Sequence, residues 1–568
     1  MVKILGIKYG GHDTSAALLI DGKIVAASAQ ERYTRDKHSR KFPKEAVEDC
    51  LKLANTKIDE IDEIAFVNDV NLFIREMYLK PALKNDDRLN FFFNDLEKLS
   101  KIYNFKSIIK KELKYNGVIK NYKHHLCHIA SSYFSSGFEN SLCLSIDGFG
   151  EHETGLLVSA EKGKLKILNN ENVYPHSLGL AYSAITFFLG WKHHCDEGII
   201  MGLAPYGNSK NIIPGRNKSY IDIFREILIH DEDFKFKVNE KFLDYYSQRD
   251  KWVTSEFIEI FGSPRRYNDK IEQHHKDIAA ALQDRLEEIV LKFLRKAKEK
   301  YKLNNLCLAG GVALNCSMNG KIEKNKLFDE IFVVPPSGDD GTAIGACYLA
   351  YQSRGEELNL KKNYNFYLGS KFTNNEIKNT IKESNLNFEE NSDIFKTTAK
   401  YILDGKIIAW FQGGAEFGPR ALGNRSILCK PYPKEMKDYL NKQVKFREDF
   451  RPFAPAVLKE FQQDYFEINQ DSPHMLIACN VKESKNKIIP AVVHVDGSCR
   501  VQTVTQDTNE RFYFLIKEFY KLSNIPVILN TSFNIKGQPI VNNPKEAIDT
   551  FKNTNIDVLV IGDYILTK

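Results

Sequence analysis

The sequence contains no CxxC pair, no run of about eighteen apolar residues, no low-complexity tract and no repeat array. Its ten cysteines are scattered, most of them inside apolar runs such as LCLSI and LCLAG, where a reduced cysteine is a small hydrophobe. This excludes a zinc ribbon and a disulfide framework. The missing apolar run excludes a membrane-spanning helix, and MVKILGIKYG lacks the basic start and apolar core of a signal peptide. A soluble, cytoplasmic protein is expected. Lys+Arg 80 against Asp+Glu 74 gives a net charge of only +6 over 568 residues, too little for a protein that coats nucleic acid. A hydrophobic fraction of 43% and a charged fraction of 27% are those of an ordinary globular enzyme. At roughly 100–200 residues per domain, the length allows about three to four folding units.

What is present begins with an internal echo. Residues 3–29 and 141–168 share one plan: an apolar run, an acidic glycine loop, a second apolar run, a turn and a third strand. Two such units predict an α/β fold with a duplicated, actin-like sheet-and-helix domain, its acidic loops facing a cleft. Two later segments, LCLAGG followed by VALNCSMNGKI and FVV–SGDDG followed by AIGACYLAYQ, read as strand, glycine turn and small-residue helix. Backbone N–H groups at such helix starts suit anionic oxygens, which makes Gly310, Gly311 and Asn315 candidate phosphate contacts; tight packing alone would also explain the glycines. Residues 270–303 read as an amphipathic scaffold helix. The polar stretch 354–375 marks the domain boundary, so residues 1–360 and 361–568 are expected to form separate domains, the second also α/β.

The sharpest N-terminal pattern is His124-His125-Leu126-Cys127-His128. On a helix, His124 and His128 lie on one face and supply half of a divalent metal site. Asp147 and Asp339, on two acidic glycine loops, are available to complete it. This is not the HExxH signature of a metalloprotease, since His125 stands where that motif needs its glutamate. Such a donor set suits iron, manganese or zinc better than calcium. His12, in GGHDTSA, is a candidate general base. Arg32, Arg35, Lys37 and Lys41 form a cationic cluster expected beside the same cleft, with Lys37 able to neutralise a nucleotide phosphate. Taken alone, these read as a turn histidine and a solvated charge run.

Residues 416–451 hold nine Lys/Arg against five Asp/Glu, so the small overall charge conceals a local concentration of +4. Here GPRALGNRS and KFREDFRPFAP interleave arginines with prolines and aromatics that fix the backbone. Arginine offers a bidentate fork for phosphate or carboxylate oxygens that lysine cannot reproduce. A small phosphorylated substrate fits this region better than nucleic acid does. HVDGSCRVQTV and NTSFN add Arg500, Asn530 and Ser532 on loops after apolar runs, natural pocket positions.

Eleven motifs in order, among them GGHDTSAALLIDGKIVAASAQERYTRDKH, HHLCHIASSYFSSG, MGLAPYG, SGDDGTAIGA, EFGPRALGNRSIL and KFREDFRPFAPAV, make the chain resemble the NodU/TobZ-type O-carbamoyltransferase family. The resemblance implies a Kae1-like domain of the actin-like class followed by a YrdC-like domain. It implies transfer of a carbamoyl group from carbamoyl phosphate to a hydroxyl of a small acceptor. The YrdC-like domain would use ATP, with Mg2+, to form carbamoyl adenylate and release pyrophosphate. Carried over by motif, His124, His128, Asp147 and Asp339 would bind the metal, Fe(2+) being the family's expected ion. His12 matches the catalytic histidine and Lys37 an adenylate-contacting lysine. Arg420, Lys445, Arg451, Arg500, Asn530 and Ser532 match positions for carbamoyl phosphate or adenylate. Asp147, Gly310, Gly311 and Asn315 would contact the nucleotide in the first domain. One departure stands out: the family commonly has a lysine before MGLAPYG, where this chain has Ile199, and the preceding KHHCDE is individual. That region is expected to shape the acceptor pocket.

The competing readings are a threonylcarbamoyl-type tRNA-modifying enzyme, built from the same domain types, and a non-enzymatic actin-like ATP-binding protein. Neither nucleic acid nor membrane is expected as a partner, and the sequence leaves the acceptor and the oligomeric state open.

Overall fold

Both echoed segments fold as three strands. Lys3–Lys8, Ser15–Ile20 and Lys23–Ala29 form one set, and Asn140–Ile146, Glu153–Glu161 and Lys164–Val173 the other. The structure, a computed structural model, describes residues 1–231, 234–246 and 251–568. The chain forms two compact units. One contains Met1–Ile24, Arg40–Lys44 and Lys57–Lys362, the other Val25–Ser39, Glu45–Thr56 and Asn363–Lys568.

Two five-stranded sheets with the same strand order build the first unit, although of the edge strand Lys23–Ala29 only Lys23 and Ile24 belong to it. In the first sheet Lys3–Lys8 lies between antiparallel Ser15–Ile20 and parallel Glu63–Val67, with Lys23–Ala29 and Val118–Tyr122 at the edges. In the second, Asn140–Ile146 lies between antiparallel Glu153–Glu161 and parallel Asn305–Ala309, with Lys164–Val173 and Glu330–Val333 outermost. This is the duplicated actin-like plan expected from the echo. The central strands are apolar on both faces because helices cover them, as parallel sheets require.

Two helices carry the interior of this unit. His124–Ser136 packs on Asn140–Ile146 and Asn305–Ala309, Thr342–Ser353 packs on Lys3–Lys8 and Ser15–Ile20, and the two helices pack on each other. Their contact is close because the residues there are small. A Cβ at Gly345 would lie 1.8 Å from the Cys127 carbonyl oxygen, and one at Gly6 would lie 2.1 Å from that of Ala343. The scaffold helix Gln273–Tyr301 buries Ile278, Leu282, Leu286, Ile289 and Phe293 at helical spacing, with Asp277 and Glu287 buried beside them.

No helix or strand occurs between Ser353 and Asn374. The second unit is α/β, built on an eight-stranded sheet whose centre runs Val558–Ile561, Ile408–Phe411, Arg425–Cys429, Val527–Ser532 and Ala454–Leu458. Its strands alternate between two cores: Ala409, Phe411, Ile427 and Leu529 face one, while Ile408, Trp410, Leu428 and Ile528 face the other with Phe512. Phe466–Glu467, Ala478–Val481 and Ser498–Arg500 form a separate small sheet. Among the described residues no helix is long and apolar enough to cross a membrane.

Gly345→Ala therefore forces apart the two helices that hold the first unit together. Overpacking of this kind costs about 1–3 kcal/mol, so the urea midpoint of the first transition falls; an unchanged midpoint would contradict this packing.

Candidate active site

The helix His124–Ser136 begins on a buried carboxylate. Glu151 accepts the His124 backbone N–H at 3.0 Å and that of Asp69 at 2.7 Å, giving the helix start an anionic partner. With the first turn fixed, His124 and His128 lie one turn apart and their Nε2 atoms approach to 3.0 Å. His125 points elsewhere: its Nδ1 meets Ser145 Oγ at 2.7 Å and its Nε2 the Glu153 carbonyl at 2.9 Å. Burial pushes its pKa down to about 3, so it is a neutral core histidine.

Two carboxylates face the imidazole pair. Asp147 Oδ2 lies 3.2 Å from His124 Nε2 and 3.3 Å from His128 Nε2, and Asp339 Oδ1 lies 3.3 and 3.7 Å from the same atoms. The four ligand atoms all lie within 4.8 Å of one another. Each carboxylate has its second oxygen tied back to the protein. Gly311 N–H donates to Asp147 Oδ1 at 3.0 Å, and buried Lys8 Nζ lies 3.0 Å from Asp339 Oδ2. Such outer contacts orient metal ligands.

The donor set fits a divalent ion. Nothing in a bare protein favours two Nε2 atoms 3.0 Å apart facing two carboxylates, unless a proton or a cation sits among them. Burial opposes charge on His124, yet Asp339 and Asp147 overcome it and raise its pKa to about 9. The same neighbours hold both aspartates below the ordinary carboxylate range, against the opposing effect of burial. Two imidazoles and two carboxylates suit iron, manganese or zinc, and any of these could occupy the place of the proton.

His12 stands on the loop after Lys3–Lys8, its Nδ1 2.8 Å from Asp13 Oδ2. Asp13 fixes the ring and leaves Nε2 as the free nitrogen, the division of labour of a general base with its orienting carboxylate. Burial opposes the imidazolium, but the Asp13 contact outweighs it and raises the pKa.

Gly310, Gly311 and Asn315 are engaged within the protein. Gly310 adopts φ +86°, where a Cβ would strike the Ile146 carbonyl, and the Gly311 N–H is committed to Asp147. Asn315 caps the helix Cys316–Lys324 through Met318 N and exchanges hydrogen bonds with Gln283. These contacts fix the positions of Gly311 and Asn315 within the first unit. Ile199, at the position of the family lysine, is buried in Glu197–Leu203.

The second unit holds a separate cluster. Lys445, buried at the end of a π-turn after Glu435–Leu440, has four oxygens within 3.2 Å: the Ser532 carbonyl and Oγ and the Asn534 carbonyl and Oδ1. All four are neutral, so they fix the ammonium without cancelling its charge. Burial, then Arg447, Arg451 and Lys37, push its pKa well below the ordinary range. Arg447 is depressed likewise by burial, Arg451 and Arg500. Lys37 thus gathers with the second unit's cations, as do Arg32 and Arg35; the cluster expected beside the first cleft divides, with only Lys41 in the first unit. Arg35 pairs with Glu546, and buried Arg32 donates to the Gly418 carbonyl. A buried ammonium such as Lys445, held by neutral oxygens beside other cations, is costly unless an anion joins it.

Asn530 and Ser532 share one face of Val527–Ser532. Asn530 Nδ2 donates to Gln502 Oε1 at 2.8 Å and its buried Oδ1 has no hydrogen-bond partner. Half-buried Arg420 rides a loop that Glu416 orders by accepting the N–H groups of Leu422, Asn424 and Arg425. Arg425 itself is scaffold: it lies 3.6 Å over Phe411, donates to the Gln412 and Ser370 carbonyls, and burial lowers its pKa to about 9.

Sequence reasoning overlooked Lys8, Glu151, Glu416 and Arg447. A lone lysine ending the apolar run KILGIK was the available signal for Lys8, and the KFREDFRP motif contained Arg447. Nothing local marks Glu151 or Glu416 as caps.

Residues 3–348 match the family described as Carbamoyltransferase N-terminus, and residues 399–568 match Carbamoyltransferase C-terminus. Nodulation protein NolNO of Sinorhizobium fredii is 35% identical over 98% of this chain and 79% of its own length. Nodulation protein NolO of Bradyrhizobium diazoefficiens is 37% identical over 78% of each. Among solved structures, component A of the Acidaminococcus fermentans (R)-2-hydroxyglutaryl-CoA dehydratase is similar at a TM-score of 0.34 and 14% identity, covering 62% of this chain and 100% of that one.

Two outcomes follow from the two clusters. His128→Ala removes one of four ligands, so metal analysis of the purified variant shows most of the bound divalent ion lost; full retention would dismiss the site. Lys445→Met removes a charged hydrogen-bond donor worth about 1.5–3 kcal/mol, so pyrophosphate binds roughly ten- to a hundredfold more weakly by calorimetry.

Proposed function

Because the chain belongs to the carbamoyltransferase family, we propose that it transfers a carbamoyl group from carbamoyl phosphate to a hydroxyl of a small acceptor, through carbamoyl adenylate. Residues 361–568, together with Lys37, form the donor-activating part, and residues 1–360 the transfer part. The observation that carries this reading is His12: a base oriented by Asp13, in the unit that also holds the four-ligand cluster.

In the donor part, Lys445, Arg447, Arg451 and Arg500 receive the phosphate oxygens of carbamoyl phosphate and ATP, with Arg420, Asn530 and Ser532 as further polar contacts. The binding of anions restores full charge to Lys445, so recognition and protonation reinforce each other. Water opens carbamoyl phosphate to carbamate and inorganic phosphate. A carbamate oxygen then displaces pyrophosphate from the α-phosphorus of ATP, leaving carbamoyl adenylate. Keeping this mixed anhydride within one protein protects it from hydrolysis.

In the transfer part, His124, His128, Asp147 and Asp339 hold the divalent ion, iron being the first candidate, which supplies Lewis-acid stabilisation of negative charge. His12 Nε2 takes the acceptor's hydroxyl proton as its oxygen bonds to the carbamoyl carbon, and AMP departs. Asp13 stabilises the imidazolium that results. Lys8 keeps Asp339 in its ligating orientation and offsets part of the site's negative charge. Neither the tRNA-directed nor the non-enzymatic alternative is favoured by a feature of the structure.

Incubation with carbamoyl phosphate, ATP and a panel of hydroxylated metabolites should yield, by mass spectrometry, an acceptor heavier by one carbamoyl group. His12→Ala should abolish that product, a loss of at least the roughly 10²–10⁴-fold typical of general base catalysis. The same variant should retain carbamoyl-phosphate-dependent pyrophosphate release. Loss of both activities in correctly folded His12→Ala would overturn the division of labour.

A further inference from the structure

A line of aromatic rings leads away from His12. The His194 ring lies 5.8 Å from His12 at an interplanar angle of 25°. Trp252 follows at 5.5 Å from His194 and 4.5 Å from His193, and Phe187 closes on His193 at 5.6 Å. Beyond Trp252 the line continues through Tyr245, Tyr174 and Phe149, the last only two residues past the ligand Asp147. His193, His194 and Trp252 are half-buried.

This line is held in place from beneath. His194 adopts φ +57°, an uncommon conformation for a non-glycine residue, and its N–H donates to Glu197 Oε1 at 2.6 Å. The same oxygen accepts Ser183 Oγ–H at 2.6 Å, which ties the segment to the helix Leu178–Phe188. Burial, then the positive charge of His12 and His193, lowers the His194 pKa to about 3, so this ring is uncharged at neutral pH. The Trp252 indole is therefore held beside a neutral His194 that is itself stacked on the base, with His194 edge-on and His193 tilted against it. A flat aromatic surface gains most from a ligand that lies flat against it, such as the C–H face of a saturated ring, whereas a flexible chain must be ordered first.

Resting on the proposed transfer reaction, we propose that Trp252, backed by His193 and His194, is the acceptor-positioning wall: it stacks a ring of the acceptor so that a hydroxyl on or next to that ring reaches His12 Nε2. The distance suits such an acceptor, since His12 and Trp252 are separated by two ring spacings through His194. These are positioning residues; the proton goes to His12.

The test uses a built-in reporter. Of three tryptophans, Trp191 and Trp410 are buried, at 3% and 0% exposure, and Trp252 alone meets solvent. The full-length protein is titrated with a panel of methyl pyranosides and, separately, with acyclic alditols of matched hydroxyl number. At least one pyranoside should change the fluorescence saturably and the alditols should not, and Trp252→Phe should lose the signal. With carbamoyl phosphate and ATP present, Trp252→Ala should raise KM for that pyranoside about tenfold with kcat unchanged, the worth of one aromatic stack, and Trp252→Tyr should restore it. Pyrophosphate release without acceptor should be the same in all variants. Equal responses to alditols, no response to any pyranoside, or an unchanged KM in Trp252→Ala would overturn the proposal. If the wild type shows no carbamoyl-phosphate-dependent pyrophosphate release, the transfer reading fails instead, while the binding titration still reports on the wall.

Discussion

Two imidazole nitrogens 3.0 Å apart, facing two buried carboxylates, form the constraint on which the first unit depends. The four groups come from one helix and from loops following two parallel strands of the second sheet, on which that helix packs, while Lys8 reaches Asp339 from the central strand of the first sheet. The helix bearing the histidines and the helix following Asp339 touch almost backbone to backbone at Gly345, and the latter helix meets the strand Lys3–Lys8 as closely at Gly6. The electrostatics demand a cation at the meeting point, and the outer contacts from Lys8 and Gly311 N–H leave one oxygen of each aspartate directed at it. Fold and site are thus consequences of one packing requirement.

The second unit inverts that logic. There the positive charge is in excess, anchored by neutral carbonyl, hydroxyl and amide oxygens, and the missing partner is an anion. Lys445 and Arg447 are held where burial and like charges weaken them, a strained arrangement that phosphate oxygens relieve. One unit awaiting a cation and one awaiting anions is what a carbamoyl phosphate and ATP chemistry asks of a single chain. The molecule's small net charge arises because these sites are local and the remainder is balanced.

Much of this was legible in the sequence, because local patterns specify it. The echo at residues 3–29 and 141–168 carries the strand order, the HxxxH spacing carries the imidazole pair, and the DDG loop carries Asp339. What was not legible depends on contacts between residues distant in sequence. The pairing of Asn315 with Gln283, on another helix, has no signature in the local sequence. Arg32, Arg35 and Lys37 read as a single patch with Lys41, yet the chain divides between them. Glu151 and Glu416 have no motif at all; their carboxylates matter because distant N–H groups converge on them.

The central claim is that this chain activates a carbamoyl group by adenylation. Its most direct test is to incubate the purified, metal-loaded protein with ATP and carbamoyl phosphate without acceptor and to separate the nucleotide products. The account predicts AMP and pyrophosphate in amounts that depend on carbamoyl phosphate. ADP as the product, or ATP consumption indifferent to carbamoyl phosphate, would contradict it.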